Sequence, residues 1–431
     1  MILLFSIPAL VLLAFLARQN YHAALMLLVS LLPTYLLRFS VAGLTTNFFE
    51  AALAVVLLTG LTQPAIRHTY TLARHQVPRS LRILLTLFIL AAIISTLISP
   101  HQRTSLGILK GWIIVPVLFG AALTAALQHA PALRRRVINA LLLSGTIMAT
   151  LGLMQVPLLD RVRGIYDVPA SLALFLTPLA TIAWWRGNKL AALTMVAALL
   201  ATQSASALVA LFATLMIGLL AWPRASRRQL AALVLLIFLA LTVLSLTGRG
   251  QYLLSPLFSD TPNSISVRGQ LWSVAAELIT EHPFLGIGLG QFEPAYQEKL
   301  HDRFAVYSLL SIPPAGGTPP QAVAHYSLQT PLPEFVYRDP HNWILSFWLN
   351  TGLLGLVSFI VLNAVIVKRA YPAHDKTTQA LLVALLSIFI HGLVETIFWK
   401  NDLSALHFVL LALLAAQPRP KRKSQPGSLR Q

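Results

Sequence analysis

The chain has 431 residues, of which 56 % are hydrophobic and only 11 % charged, and its mean hydropathy is +0.72; soluble domains carry roughly 25 % charged residues, so a soluble fold is the poorer expectation. The 32 Lys and Arg against 14 Asp and Glu give a net charge of +18, which in a soluble protein would point to nucleic acid, but here most basic residues fall between apolar runs. There is no cysteine, which excludes disulfides, thiolate chemistry and Cys-based metal sites.

Apolar runs that can cross a ~30 Å hydrocarbon core recur along the chain, and in lipid each must satisfy its own backbone hydrogen bonds, which means helix. The predicted spans are 2–17, 22–39, 47–65, 83–99, 109–127, 138–157, 170–185, 190–203, 205–222, 230–246, 342–367, 378–397 and 403–416. The fold class is therefore all-α, a polytopic transmembrane helical bundle of about 12–13 spans. Met1 to Ala17 lacks a basic start and a cleavage site, so it reads as a retained span rather than a signal sequence.

The stretches Arg67 to Arg82, Arg134 to Arg136, Arg186 and Lys189, Arg224 to Arg228, Lys368 to Lys376, and Arg419 to Arg430 all fall on one side of the predicted bundle. By the positive-inside rule that side is the cytoplasm. The long hydrophilic segment holds eight acidic residues against five Lys and Arg, which marks it as extracytoplasmic. The expected organisation is an N-terminal membrane bundle (1–246), an extracytoplasmic loop domain (247–341), C-terminal membrane helices (342–416) and a basic, disordered tail (417–431).

Within the loop domain, Gln270 to His282 places Leu271, Val274, Ala275, Leu278 and Ile279 at helical spacing until Pro283 ends the pattern. An amphipathic helix at the membrane surface is expected. Gly286-x-Gly288-x-Gly290 lacks the companions of a nucleotide loop and reads as a turn. Ile312 to Pro333, with its Pro-Pro and Gly-Gly pairs, reads as an irregular flap.

Asp339-Pro340-His341-Asn342 opens a late span. Asp339 fits an N-cap and Pro340 the first helical position, which would put His341 and Asn342 in the first turn. Unpaired N–H groups there would offer a phosphate site, and the helix dipole would keep His341 neutral and able to accept a proton. The alternative is an unreactive interfacial histidine. Ser346, Gly352 and Gly355 suggest a face open to a neighbouring helix. His391 and Glu395, four apart, have a spacing that can bind zinc, but a hydrogen-bonded packing pair is the expected reading.

His341-Asn342, nine residues, then Gly352-Leu353-Leu354-Gly355 resembles the His-Asn-x9-Gly-x-x-Gly signature of the O-antigen ligase, O-antigen polymerase and protein O-oligosaccharyltransferase superfamily. Arg268-x-x-x-Trp272 and His282-Pro283-Phe284-Leu285-Gly286-Ile287-Gly288 are similar to two further blocks of that family, and the likeness covers residues 80 to 415 or so. It implies a GT-C-like glycosyltransferase of the bacterial inner membrane. The implied donor is an undecaprenyl-pyrophosphate-linked glycan and the acceptor a lipid or protein hydroxyl, with inversion at the sugar. No cofactor or metal is implied.

The resemblance makes His341 the base or acceptor-orienting group, Arg268, Arg163 and Arg161 the pyrophosphate ligands, and Asn342, Gly352 and Trp272 supporting residues. Two positions depart from it. Ala170 stands where Asn often follows Pro169, and Ser204 is followed by Ala205 rather than Arg, which brings in Arg38, Arg103 and Arg338 as substitute cations. For Arg161, Arg163 and Arg268 the alternative is headgroup snorkelling. Membrane lipids are expected partners and nucleic acid is not. From another class, a lipid-linked glycan transporter remains open; it would need ionisable residues buried mid-span, and only Arg38, Glu50, Lys110 and Glu395 qualify.

Overall fold

The computed structural model describes residues 2–41, 44–222, 242, 264–299, 337–372 and 375–416. Apart from Thr242, the predicted span 230–246 lies outside them, as do the stretch Ile312 to Pro333 and the tail 417–431. The described chain is all-α but for one hairpin.

α1 (Ile2–Gln19) gives way to α2 (Tyr21–Ser30) at Asn20, whose side chain caps α2 by accepting the Ala23 N–H. The predicted span 22–39 is not one helix. After α2 comes a 3-10 turn (Leu32–Leu36), then β1 (Arg38–Val41), paired antiparallel with β2 (Leu44–Asn47) so that Arg38 faces Asn47. Pro33 is the cause, since it lacks the N–H that would continue α2. Asn47 then caps α3 (Phe48–Leu61). The chain turns through 99° into α4 (Pro64–Gln76), because Pro64 can open a helix more easily than continue one.

α5 (Arg79–Ile98) is followed by α6 (Gln102–Ile108), a π segment (Leu109–Ile114) and α7 (Val115–His129). α8 (Leu133–Leu153), α9 (Pro169–Arg186), α10 (Lys189–Thr202) and α11 (Ala205–Ala221) come next. α12 (Ser264–Glu281) contains the helix expected over Gln270 to His282. α13 (Trp343–Ala370), α14 (Lys376–His391) and α15 (Asn401–Ala415) follow.

Among the described residues, four helices are long and apolar enough to cross a membrane, or five if the bent α3–α4 pair forms one span. Six more apolar helices have 10–17 residues. At 1.5 Å per residue these reach roughly 15–25 Å, less than a full hydrocarbon core. Among the described residues the apolar stretches expected from sequence, apart from 22–39, are thus present as helices, though most are shorter than an ideal span.

α9, and α15 beyond its polar first turn, are apolar nearly all round, and burial follows: Ser171 through Ala183 and Asn401 through Leu414 are buried without a break. α14 lies along α9, α15 along α7 and α13 along α5. Phe347 of α13 stacks on Phe359 at 4.0 Å and meets Phe398 and Trp399 at 4.9 Å. Such ring pairs contribute about 0.5–1.5 kcal/mol each beyond area burial. They fix the segment between α14 and α15 against the first turns of α13, where the candidate site lies.

Candidate functional site

α12 buries Leu271, Val274, Ala275, Leu278 and Ile279 against Phe292, Tyr296 and Leu349. This is the face the spacing predicted. Arg268 and Trp272, one turn apart, project from the helix together. Arg268 donates from Nε to the Val394 carbonyl at 2.8 Å and from Nη2 to Glu395 Oε1 at 2.7 Å. Trp272 donates from Nε1 to the Pro340 carbonyl at 2.9 Å.

Beyond α12 the backbone of Phe284 to Gly286 lies against a break in α13. Leu353 N–H donates to the Phe284 carbonyl at 3.0 Å and Ile287 N–H to the Leu349 carbonyl at 2.9 Å. Gly352 and Gly286 meet there with φ of +67° and +71°, and a Cβ on either would lie 2.3 Å from a backbone oxygen of the other segment. Gly352 therefore does not serve the helix packing that the sequence led us to expect. It seats the His282–Gly288 block, while Gly355 has its virtual Cβ 3.3 Å from Ala91 of α5. The 286–290 glycines do form a turn, all with positive φ, held by Gln291 on His101 and by Gly290 N–H on Asn350.

The start of α13 differs from the sequence expectation. Asn342, not Asp339, is the N-cap, its Oδ1 accepting from Ile344 and Leu345 N–H. Trp343 N–H goes to the Gly392 carbonyl at 2.8 Å and Ser346 N–H to the Asn342 carbonyl. The helix-end donors expected to await a phosphate are thus already bonded. Asp339 instead accepts from the His341 N–H at 2.8 Å and from the Thr396 hydroxyl, and Asn342 Nδ2 donates to the Leu393 carbonyl.

His341 lies just before the helix with φ +50°, a left-handed conformation costly for a non-glycine residue. Its Nδ1 is 3.2 Å from Glu395 Oε2. A carboxylate only accepts, so Nδ1 carries the proton and Nε2 is left as the acceptor nitrogen. The Tyr337 ring packs edge-on at 5.8 Å.

Burial opposes charge on His341. The Glu395 hydrogen bond and the negative charges of Asp339 and Glu395 outweigh it, and with Arg268 partly opposing them the imidazole pKa is raised above 6.5. The two nearby carboxylates thus act against the neutral form that the helix dipole is expected to favour. Glu395 shows the reciprocal effect. Its burial favours the acid, yet the His341 hydrogen bond and the positive charges around it hold the carboxyl below its ordinary value.

The expected pairing of His391 with Glu395 also gives way. α14 ends at His391, so the four-residue spacing is not a helical turn. Glu395 turns to Arg268 and His341, and His391 Nε2 faces Ser206 Oγ at 3.3 Å.

The loop between α8 and α9 sits at the same end of the bundle. Arg163 donates from Nη1 to the Asp167 carbonyl at 3.1 Å, and Arg161 from Nε to the Thr202 carbonyl at 3.0 Å. Both arginines are thus held by their own surroundings, whereas Arg268, Trp272, Asn342 and His341 converge through hydrogen bonds. Tyr166 donates to Asp402 Oδ2 at 2.8 Å, and Lys400 reaches Ser171 while lying in the field of Asp402, Asp339, Asp167 and Glu395. Of the substitute cations, Arg338 is exposed beside Glu293, Arg103 is exposed on α6, and Arg38 is exposed on β1, close enough to Tyr35 to act on it together with Asp402 and Asp167.

Glu395, Thr396 and Lys400 were not singled out from sequence for this site. A usable signal existed, because a charge within an apolar C-terminal stretch marks function or pairing.

Residues 190–360 match the family model described as O-antigen ligase. That window contains Arg268, Trp272, the 282–290 turn and His341 through Gly355. No curated protein gave a match. The chain is a multi-pass, all-α membrane protein whose residues 190–360 are similar to the O-antigen ligase family.

Proposed function

We propose that this protein transfers a glycan from an undecaprenyl-pyrophosphate donor to an acceptor hydroxyl at the outer face of the bacterial inner membrane, with the 247–341 domain extracytoplasmic. The observation that carries the reading is the His341–Glu395–Arg268 arrangement, in which one buried carboxylate contacts both the histidine and the arginine.

In this reading neutral His341 keeps its Nδ1–H on Glu395 and takes the acceptor hydroxyl proton at Nε2. As the oxygen bonds to the anomeric carbon, the bond from that carbon to the pyrophosphate oxygen breaks on the opposite face. The configuration inverts, and undecaprenyl pyrophosphate departs with the bonding pair. Glu395 stabilises the imidazolium, as carboxylates beside catalytic histidines do. Arg268, with Arg163 and Arg161 from the α8–α9 loop, offsets the leaving charge; guanidinium suits this because it remains protonated and can bind phosphate bidentately.

The test is reconstitution of the purified protein with an undecaprenyl-pyrophosphate glycan and hydroxyl acceptors, both lipid and protein. The expected result is a covalent product of inverted anomeric configuration together with released undecaprenyl pyrophosphate. Movement of intact donor across the bilayer with no bond formed would establish the transporter alternative instead.

A further inference from the structure

The far end of the bundle holds a second charged site that plays no part in the transfer reading. α8, α9 and α14 each have one end near the loop, Ser171 or Ser206 contacts described above. Their other ends meet around a cavity of about 390 Å³ lined by Pro131, Ala132, Arg134, Arg135, Arg186 and Thr377. Helices of 16–21 residues put roughly 25–30 Å between the two ends.

Three guanidiniums share this cavity. Arg186 lies in the repulsive field of Arg135 and Arg134. Among the described residues, the carboxylate paired with the group is Asp375, 3.6 Å from Arg134 Nη1 and also the N-cap of α14. Arg134 donates to Thr378 from Nη2, while its buried Nε has no hydrogen-bond partner.

α8 and α14 both begin at the cavity, and Ala132, at the α8 N-cap, offers no side-chain acceptor for the first N–H groups. The Leu133 and Arg134 N–H groups bond to the Ala130 and Pro131 carbonyls, and Asp375 caps α14, so the positive character of the cavity comes from the three arginine side chains. A buried donor without a partner, three neighbouring guanidiniums and a cavity of ligand size together favour an anion.

We propose that this cavity binds the phosphate-bearing headgroup of an anionic phospholipid from the leaflet at this end of the bundle, with Arg134, Arg135 and Arg186 on the phosphate oxygens. Charge alone would also admit free phosphate. Position favours the lipid, because the cavity opens where apolar helices end, as basic pockets between transmembrane helices do when they take lipid headgroups.

Native mass spectrometry of the full-length protein, released from nanodiscs of phosphatidylglycerol and phosphatidylcholine, tests this directly. Wild type should retain phosphatidylglycerol at least 10-fold over phosphatidylcholine. The double variant Arg135→Gln/Arg186→Gln should lose most of that preference, while Arg67→Gln/Arg74→Gln on α4, equal in charge change, should keep it. Arg134 is left intact because its contacts tie α8 to α14, and an unchanged melting temperature will confirm that the variants are folded. Equal retention of both lipids, or full preference in the Arg135/Arg186 variant, overturns the site. Displacement of the lipid by millimolar inorganic phosphate overturns the lipid assignment.

Discussion

His341 Nδ1 lies 3.2 Å from Oε2 of Glu395, a residue 54 positions later in the chain, and the other oxygen of that carboxylate is 2.7 Å from Arg268. One side chain thus orients the candidate base and holds the candidate donor-binding cation.

This relationship predicts a pH dependence. His341 can act as a base only when neutral, and its pKa is raised above 6.5 because hydrogen bonding to Glu395 and the nearby carboxylates outweigh burial. Wild-type rate should therefore fall as pH drops through a value above that of a free histidine. Glu395→Gln keeps an acceptor but removes the charge, so the acid limb should move to lower pH and the maximal rate should drop about 10-fold or more. Initial transfer rates between about pH 5 and 9 measure both effects; an acid limb that does not move would separate Glu395 from His341 function.

Arg268→Lys keeps the charge but cannot reach the Val394 carbonyl and Glu395 together as the planar fork does. Activity should fall about 10-fold to 100-fold, with a higher KM for the donor. Full activity in Arg268→Lys and Arg268→Ala alike would assign this residue to the surface.

Gly352→Ala tests how the loop domain is seated. The new Cβ would meet the Phe284 carbonyl oxygen at 2.3 Å in a backbone of φ +67°. A loss of about 2–4 kcal/mol is expected, read as a lower melting temperature. Gly107→Ala in α6, where a Cβ has no neighbour within 4 Å, should leave stability unchanged or slightly raised.

Asn342→Ala removes the cap of α13 and should cost about 1 kcal/mol of stability. The rate should fall less than 10-fold, because Asp339, Trp272 and Glu395 continue to hold the His341 segment. Asn342→Asp, which keeps the capping oxygen, should recover the stability.

The helices and the α12 face were legible because apolar period and burial are local properties of the chain. The His341 motif, Arg268 and Trp272 were legible through resemblance. Glu395 was visible only as a charge in an apolar stretch, since its partners lie on α12 and before α13, and no local spacing encodes that meeting. Asn342 rather than Asp339 became the cap because Asp339 is engaged by Thr396, again from a distant segment. Pro33, by contrast, was a local signal against the 22–39 span and was outweighed by the hydropathy around it.

The most direct test of the central claim is the turnover of His341→Ala, with purified protein, an undecaprenyl-pyrophosphate glycan and each acceptor that wild type uses. Donor retention and melting temperature are measured alongside. The account predicts a folded variant that binds donor but transfers about 10²- to 10⁴-fold more slowly, the usual cost of a missing general base. Near-normal turnover with every acceptor would contradict it.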